Sequence, residues 1–394
     1  MIVDLHAHYP IHLLATEPFP TRRIRFRRMP LRDWIRGPVL RLANRIGNYP
    51  GRGTAPAVTI ENLAESRVRI ALSVLYAPFD EMDLGVPYGS PPEPRYMADL
   101  LRQMDRVEAS VAGRGDITVA RNPAELANAA AAGRVALVHA VEGGFHLGAS
   151  VGEVEGNVAL LARRGVAYIT LAHLFWRRIA TNTPALPFLP DWLYDLIFPQ
   201  PPIGLTELGR AALGAMVDNH VLVDVTHLSP LAFTETLATL DRLDPGGRVP
   251  VLASHSACDF GGLRYNLSDV QIRAIARRGG VVGLIACTHY MARGFPKPRT
   301  FHDSMNILFR HIDHLRDVTG SHEFTAMGSD QDGFIKPTLP GLETPQGYDA
   351  VERALGERYG PDIADRICGG NARRVLAYWK GRERGSSAAA GSAT

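Results

Sequence analysis

Six short segments of the chain each end in histidine or carboxylate side chains, the types that bind metal ions and transfer protons. In chain order these residues are His6 with His8, Glu142, His173, His227, His255 and Asp330. Each segment is a short apolar run of the kind that forms a buried parallel strand. In a (β/α)8 barrel, the residues that follow the strands meet at one end and form the active site. The pattern therefore predicts a barrel with a metal-dependent hydrolytic site.

Strand-like and helix-like patterns alternate along most of the chain, which favours a parallel sheet wrapped by helices. We predict eight strands, at residues 1–5, 70–76, 135–141, 167–172, 221–226, 250–254, 280–287 and 324–329. Helical periodicity lies between them, for example at residues 206–219, 268–278 and 301–318. Ser268 and Gln271 have the spacing of a capping box at a helix start. We expect an α/β fold, a (β/α)8 TIM barrel in a single domain at residues 1–384.

Three segments interrupt this alternation. Residues 10–58 form a long insertion after the first strand, in which prolines and many arginines alternate with Trp34 and several aliphatic residues. We interpret the insertion as a lid or an oligomer arm, and the alternative is contact with an acidic membrane surface. Residues 174–204 are expected to form a long loop that faces the substrate, because such loops carry specificity in barrels. Residues 385–394 contain only small side chains, and we expect a disordered tail.

The composition excludes several classes of protein. With 46% hydrophobic and 21% charged residues the chain has the make-up of a soluble globular protein. The net charge of +3 is small for 394 residues and argues against nucleic-acid binding. The three cysteines form no close pair, so neither a disulfide framework nor a zinc knuckle is indicated. The chain starts directly with strand-forming residues and contains no long apolar span, so we expect a cytoplasmic location.

The histidines and Glu142 indicate a site for two divalent ions. His6 and His8 are two residues apart on a strand, so both side chains can bind one ion from the same side. His227 and His255 raise the number of imidazoles beyond what one catalytic zinc with an open position needs. Glu142 has two carboxylate oxygens and could bridge two ions about 3.5 to 4 Å apart. Water between such ions is acidified, so a metal-bridging hydroxide would exist at neutral pH.

Two further residues are candidates for catalysis. Asp330 would accept the proton of the attacking water and pass it to the leaving group. His173 is not needed as a ligand, and it could stabilise the oxyanion of a tetrahedral intermediate. The alternative for His173 is a core histidine that is hydrogen-bonded to backbone. We interpret Asp332 as a structural residue, because Gly333 indicates a turn there.

Eight segments carry a resemblance to a known family. They are AVEGG (140–144), YITLAH (168–173), GLTELGR (204–210), LVDVTHLS (222–229), ASHS (253–256), NLSD (266–269) with RGG (278–280), and GSDQDG (328–333). With these segments and its first ten residues, the chain resembles the membrane (renal) dipeptidase family of the amidohydrolase superfamily. The resemblance implies a binuclear zinc barrel that hydrolyses dipeptides.

The resemblance also implies a role for each candidate. Glu142 would bridge the ions, with His6 and residue 8 on one of them. His227 and His255 would hold the other ion. His173 would polarise the scissile carbonyl group, and Asp330 would shuttle the proton.

Two positions depart from the family's pattern. The family has aspartate at the position of His8, so we expect a different metal affinity or choice of metal. The family's arginine for the substrate carboxylate directly precedes the asparagine that matches Asn266. In this chain Tyr265 lies between Arg264 and Asn266. Arg264, Tyr265 and Asn266, together with His173, are the candidates for substrate binding, and the resemblance predicts chemistry better than specificity.

We therefore predict hydrolysis of an amide bond in a dipeptide or a dipeptide-like small molecule. A first alternative is lactone or N-acyl hydrolysis, which uses the same water and ions. A second is a non-catalytic metal-binding barrel that docks through the arginine-rich insertion at residues 10–58. A homo-oligomer is compatible with each of these functions.

Overall fold

The computed structural model describes most of the barrel. The described residues are 1–13, 36–39, 55–83, 86–333 and 337–381. Most of the predicted insertion at residues 10–58 and the whole predicted tail at residues 385–394 lie outside these ranges. Within them, the helices are too short or too polar to span a lipid bilayer.

Among the described residues, nine parallel strands form one sheet, and eight of them close into a barrel. The strands are β1 (Ile2–Ala7), β2 (Val68–Leu75), β3 (Ile117–Val119), β4 (Val135–Glu142), β5 (Tyr168–Thr170), β6 (Leu222–Asp224), β7 (Val251–Ser256), β8 (Val281–Leu284) and β9 (Thr325–Met327). Around the ring the order is β1, β2, β4, β5, β6, β7, β8 and β9, and β9 pairs again with β1. The predicted (β/α)8 barrel is confirmed.

All eight predicted strands are present, and β3 is the strand that the sequence analysis missed. It pairs with the first three residues of β4. β5 pairs with the last two residues of β4, along the same edge. The long pairing of β2 with β4, at residues 70–75 and 136–141, closes the ring without β3. β5, β6 and β9 are equally short, but each is followed within three residues by a candidate histidine or carboxylate, whereas β3 is followed by Ala120 and Arg121.

Helices follow the strands and surround the barrel. The α-helices are α1 (Ile60–Glu65), α2 (Pro78–Glu81), α3 (Pro94–Val111), α4 (Pro123–Ala131), α5 (Val151–Arg163), α6 (Asp191–Ile197), α7 (Glu207–Asp218), α8 (Pro230–Leu243), α9 (Asp269–Arg277), α10 (Thr288–Met291), α11 (Phe301–Thr319), α12 (Gly347–Tyr359), α13 (Pro361–Asp365) and α14 (Asn371–Leu376). Short 3-10 helices lie at Tyr9–Leu13, Gly144–His146 and His322–Phe324, and a π-helix lies at Arg366–Gly370. Residues 36–39 form a helical turn.

The predicted helices at residues 206–219, 268–278 and 301–318 are present as α7, α9 and α11. Ser268 and Gln271 form the predicted capping box, in which each side chain accepts a hydrogen bond from the backbone N–H of the other residue. These hydrogen bonds fix the first turn of α9, directly after the loop that carries Tyr265.

Strand β4 shows how the core leads to the site. Ala136, Val138 and Ala140 lie on one face of β4 and pack in a buried cluster with apolar residues of the neighbouring strands. Side chains alternate along a strand, so Glu142 lies on the same face at the carboxyl end of β4. The interior of the barrel is therefore apolar below Glu142 and polar at its level.

Candidate metal centre

The strand ends bring the five predicted metal ligands together in the barrel mouth. The Nε2 atoms of His6 and His8 are 3.2 Å apart, and those of His227 and His255 are 3.1 Å apart. Glu142 lies between the two pairs. Its Oε1 is 3.3 Å from His6 Nε2, 3.6 Å from His227 Nε2 and 3.5 Å from His255 Nε2. Its Oε2 is 3.6 Å from His8 Nε2.

The polar atoms of this cluster fit a metal site. Both carboxylate oxygens of Glu142 are buried without a hydrogen-bond partner among the described residues, as is Nδ1 of His8 and of His227. Buried polar groups without partners are rare, and each one calls for an explanation. Around a tetrahedral ion with Zn–N distances of about 2.0 Å, neighbouring ligand atoms are about 3.3 Å apart. The spacing of the ring nitrogens in the cluster is close to that value.

Hydrogen bonds behind the cluster fix the orientation of two of its rings. Nδ1 of His6 and Nδ1 of His255 lie 3.1 Å and 2.9 Å from Ser254 Oγ. Ser254 Oγ donates its own proton to Asp224 Oδ2 over 2.6 Å. The Nδ1–H group of His255 therefore donates to Ser254. Nδ1 of His6 lies closer to Tyr168 Oη, at 2.8 Å, and because Tyr168 donates its own proton to the carbonyl oxygen of Leu5, the Nδ1–H group of His6 donates to the hydroxyls of Tyr168 and Ser254. In the neutral rings each Nε2 then carries a lone pair that faces the cluster. This is the arrangement by which residues behind a metal site orient its ligands.

The electrostatic environment differs among these side chains. Burial lowers the pKa of His227, and it lowers the pKa of His255 well below its ordinary value. Both rings are thus neutral at neutral pH, the form that binds metal ions. Burial also acts to lower the pKa of His6, but the negative charge of Glu142 raises it above its usual range. Burial acts to raise the pKa of Glu142, but His173 and His6 hold it well below its ordinary value, so Glu142 is ionised.

His173 lies next to Glu142 and is held by a second buried carboxylate. Its Nε2 is 3.5 Å from Glu142 Oε1, and its Nδ1 is 2.7 Å from Glu81 Oε2. Glu81 also accepts hydrogen bonds from Tyr76 Oη over 2.7 Å and from the backbone N–H of Phe175 over 3.0 Å. Burial acts to lower the pKa of His173, but the charges of Glu142 and Glu81 raise it to about 9. A protonated His173 can donate from Nε2 toward a developing oxyanion.

Glu81 is a residue that the sequence analysis missed. It lies in the four-residue helix α2, and no strand ends immediately before it. It lies 92 positions before His173 in the chain, so local patterns give no signal of their contact. The ring nitrogens of His173 face two carboxylates, which differs from the alternative of a core histidine bonded to backbone.

Asp330 lies on the other side of the cluster, at the end of β9. Its Oδ1 is 3.1 Å from His8 Nε2, and its backbone N–H donates to the carbonyl oxygen of His6 over 2.8 Å. Asp330 and His227 both have a positive φ, of 54° and 67°. Such backbone conformations are costly for residues other than glycine and cluster at functional sites. A Cβ atom at Gly333 would lie 2.1 Å from Asp330 Oδ1, so only glycine leaves room for the carboxylate.

Asp332 is fully buried and joins the two ends of the predicted insertion at residues 10–58. Its Oδ2 lies 2.6 Å from His12 Nε2, and it accepts hydrogen bonds from the backbone N–H groups of Ala57 and Val58 over 2.8 Å and 2.6 Å. These contacts agree with the structural role predicted for Asp332. They also connect the base of the insertion to the turn that carries Asp330.

Of the four predicted substrate-binding residues, two line the cavity and two do not. A cavity above the cluster is lined by His8, Glu142, His173, Leu174, Ala185, His227, His255, Tyr265, Tyr290 and Asp330. Arg264 does not line it, because its Nε and Nη2 bond to Asp191 and Asp195 over 3.0 Å and 2.9 Å. The Asn266 amide donates to two backbone carbonyl groups. The structure therefore brings His173 and Tyr265 to the cavity and leaves the Arg264 and Asn266 side chains outside its lining.

A (β/α)8 barrel whose mouth gathers histidines around a buried carboxylate defines a class of metal-binding barrel proteins. Within that class, the sequence model of the membrane dipeptidase family, peptidase family M19, matches residues 26–387. The chain belongs to the membrane dipeptidase family, and the resemblance predicted from the motifs is confirmed. The matched range begins after β1, so the placement of His6 and His8 comes from the structure.

Individual relatives are distant. The chain is 31% identical over 138 residues to an uncharacterized Klebsiella pneumoniae protein from the pqqA 5' region, which covers 34% of this chain and 46% of that protein. It is 27% identical over 180 residues to an uncharacterized dipeptidase of Schizosaccharomyces pombe, covering 46% and 41% of the two chains. The chain thus spans less than half the length of these curated relatives.

A solved structure has a similar fold. It is a metallopeptidase from Rhodobacter sphaeroides, crystallised with a phosphinate mimic of the dipeptide L-Ala-D-Ala, and the TM-score is 0.69. The match covers 96% of this chain and 99% of that chain at 20% identity. At this identity the likeness shows a common fold.

Proposed function

We propose that this protein is a metal-dependent hydrolase that cleaves the amide bond of dipeptides or dipeptide-like small molecules. The observation that carries the proposal is the position of Glu142 between two histidine pairs, with both of its oxygens lacking hydrogen bonds. Membership of the membrane dipeptidase family supports the choice of substrate class.

The donor set favours two divalent ions. His6 and His8 would hold one ion with one oxygen of Glu142, and His227 and His255 would hold the second ion with the other oxygen. Imidazole and carboxylate ligands suit zinc, which we propose as the native metal. When bound, the ions supply Lewis-acid activation of the attacking water and of the scissile carbonyl group.

The residues around the ions would divide the remaining work. Asp330 is the group that accepts a proton from the attacking water and delivers it to the leaving amine. The Nε2–H group of His173 would donate a hydrogen bond to the carbonyl oxygen as negative charge develops on it. Glu81 would hold the His173 ring in the required orientation, and its negative charge would keep the ring protonated on both nitrogens, because it accepts from Nδ1 and leaves Nε2–H free to donate.

The proposal is tested by metal analysis and a substrate panel. Elemental analysis should find two zinc ions per chain, and dipeptide turnover should stop with a chelator and return with zinc. Asp330→Asn should lower kcat by about 10²- to 10⁴-fold with unchanged metal content. The exposed Asp317→Asn, on α11, is the matched control. Turnover of lactones or N-acyl amino acids without release from any dipeptide would contradict the proposal.

A further inference from the structure

One side of the cavity is aromatic and aliphatic. The rings of Tyr265 and Tyr290 stack with their centroids 4.0 Å apart, and the Tyr265 ring meets the His227 ring at 5.1 Å. Ala185, which is hydrogen-bonded to Tyr290, and Leu174 also line the cavity. We call these four residues, Leu174, Ala185, Tyr265 and Tyr290, the aromatic wall.

The tyrosine hydroxyls of the aromatic wall are already used within the protein. Tyr265 Oη donates to the carbonyl oxygen of His255 over 2.8 Å, and Tyr290 Oη donates to the carbonyl oxygen of Ala185 over 2.8 Å. A phenol has one proton, and here that proton points to backbone. The aromatic wall therefore offers ring and methyl carbons to a substrate but no donor for an anion.

Arg264, the residue before Tyr265, does not supply a donor for an anion in the cavity either. Arg264 is bonded to Asp191 and Asp195, two carboxylates that neutralise its charge. Among the described residues that line the cavity, none is a lysine or an arginine. A carboxylate pressed against the aromatic wall would lose its hydration without gaining a hydrogen bond, which is unfavourable.

The two tyrosines of the aromatic wall lie on the side of the cavity where the leaving part of a substrate would lie. Tyr265, Tyr290 and Asp330 follow β7, β8 and β9, which are neighbours in the barrel. His173 follows β5, on the other side of the cluster. Since Asp330 is the proton donor to the leaving amine, the leaving part must extend along the side that Asp330 shares with the two tyrosines.

We propose that the aromatic wall selects substrates whose leaving part carries no free carboxylate, such as a dipeptide with its carboxyl terminus blocked as an amide. This inference rests on the proposed function and names its substrate class. Water adds across the internal amide bond, which gives the free amino acid and the intact amino-acid amide. An uncharged apolar leaving part gains burial against the rings, whereas a charged one loses its hydration.

The test compares two matched substrates, alanyl-phenylalanine and alanyl-phenylalanine amide, with the zinc-loaded full chain. Release of phenylalanine or of phenylalanine amide is followed by mass spectrometry. We expect kcat/KM to be higher for the amide by about tenfold or more. A preference for the free dipeptide would overturn this inference and leave the proposed function standing. Hydrolysis of neither substrate by protein with full metal content would overturn the proposed function and the inference with it.

A charge added to the aromatic wall should reverse the preference. Tyr265→Arg places a guanidinium group on the cavity side, so kcat/KM should rise for the free dipeptide and fall for the amide. Val270→Arg adds the same charge at an exposed position on α9, outside the cavity, and should leave the ratio unchanged. If Tyr265→Arg does not fold, Tyr290→Arg takes its place. An unchanged ratio in a folded wall variant would contradict the role of the wall.

Discussion

Two sets of buried histidines have the same burial but different partners. At the strand ends, His227 and His255 face each other with their Nε2 atoms 3.1 Å apart, and His227 Nδ1 has no hydrogen-bond partner in the described structure. Elsewhere, the ring nitrogens of His146 and His311 are bonded to backbone. Nδ1 of His146 donates to Gly143, and its Nε2 accepts from Ala77. Burial alone therefore does not identify a candidate ligand.

His311 shows the structural use of the same side chain most clearly. Its Nδ1 accepts from the backbone N–H of Cys258 over 3.0 Å, and its Nε2 donates to the carbonyl oxygen of Met291 over 2.9 Å. Both nitrogens of this ring are satisfied, so it has no free lone pair for an ion. The strand-end rings differ because their Nε2 atoms all face the space around the Glu142 carboxylate, where an ion could bind.

Removing one histidine from each set should give the largest contrast. His227→Ala should lower the metal affinity by at least about 100-fold and remove turnover, because a ligand contributes more than the outer partners whose loss costs about 10- to 100-fold. His311→Ala should keep its metal and lose about 2 to 3 kcal/mol of unfolding free energy, because two buried backbone groups lose their partners. Elemental analysis after dialysis and urea unfolding measure the two effects. Equal metal loss in both variants would contradict the distinction.

The carboxylate beside the strand-end set depends on a glycine. Gly333→Ala should displace Asp330, because the new Cβ atom would lie 2.1 Å from Asp330 Oδ1. A misplacement of about 1 Å can cost about 10²-fold in rate, so we expect a fall of that order in kcat. Gly214→Ala is the control, since no atom outside its own helix and chain neighbours lies within 4 Å of a Cβ atom there. Equal kcat in both variants would show that Asp330 does not need this position.

The strand ends could be predicted from the sequence because their signal is local. An apolar run followed by histidine or a carboxylate identifies both the strand and the residue at its end, as for Val135 to Glu142. β3 gave no such signal, because it is followed by Ala120 and Arg121 and not by histidine or a carboxylate. The barrel and the convergence of its strand ends follow from local pattern together with the regular geometry of parallel strands.

Contacts made by loops could not be predicted in the same way. Which of Arg264, Tyr265 and Asn266 faces the cavity depends on the path of the loop, which the hydrogen bond from Tyr265 to His255 helps to fix. Glu81, the last residue of α2, reaches His173 in the loop after β5, which lies 92 positions later in the chain. Neither contact leaves a periodic pattern, so the sequence predicted the candidate ligands better than the groups that surround them.

Two buried histidines, His173 and His139, each lie next to a carboxylate, and only the first of them belongs to the candidate metal centre. His173 at the site is bonded to Glu81, whereas His139 away from the site lies near Glu108. Glu81→Gln replaces the ionised acceptor of His173 and should lower kcat by about 10- to 100-fold, with KM and metal content unchanged. Glu108→Gln is the matched control, since Glu108 lies 3.6 Å from His139 on the outer face of β4. It should affect stability and not kcat. Equal kcat values for the two variants would remove Glu81 from the catalytic arrangement.

The smallest expected effect is the contribution of His311 to the pH dependence of the unfolding free energy. Burial lowers the pKa of His311 from 6.5 to about 4. At pH values between about 4 and 6.5, the unfolded chain binds a proton at His311 that the folded protein does not. The stability that neutral His311 contributes above pH 6.5 is therefore lost as the pH falls. From pH 7.5 to pH 5 this loss is about 2 kcal/mol.

His311→Gln cannot take up that proton, so its unfolding free energy should fall less on acidification, by about 2 kcal/mol, even if the variant is less stable at both pH values. Urea unfolding at pH 7.5 and pH 5 in the presence of a chelator measures the difference. The strand-end histidines are common to both proteins, so their contribution cancels. The exposed His302→Gln should behave as the unmodified chain. If His311→Gln kept the full pH dependence, His311 of the unmodified protein would take up a proton in the folded state as readily as in the unfolded chain. The hydrogen bond that its Nδ1 accepts from the backbone of Cys258 would then be absent.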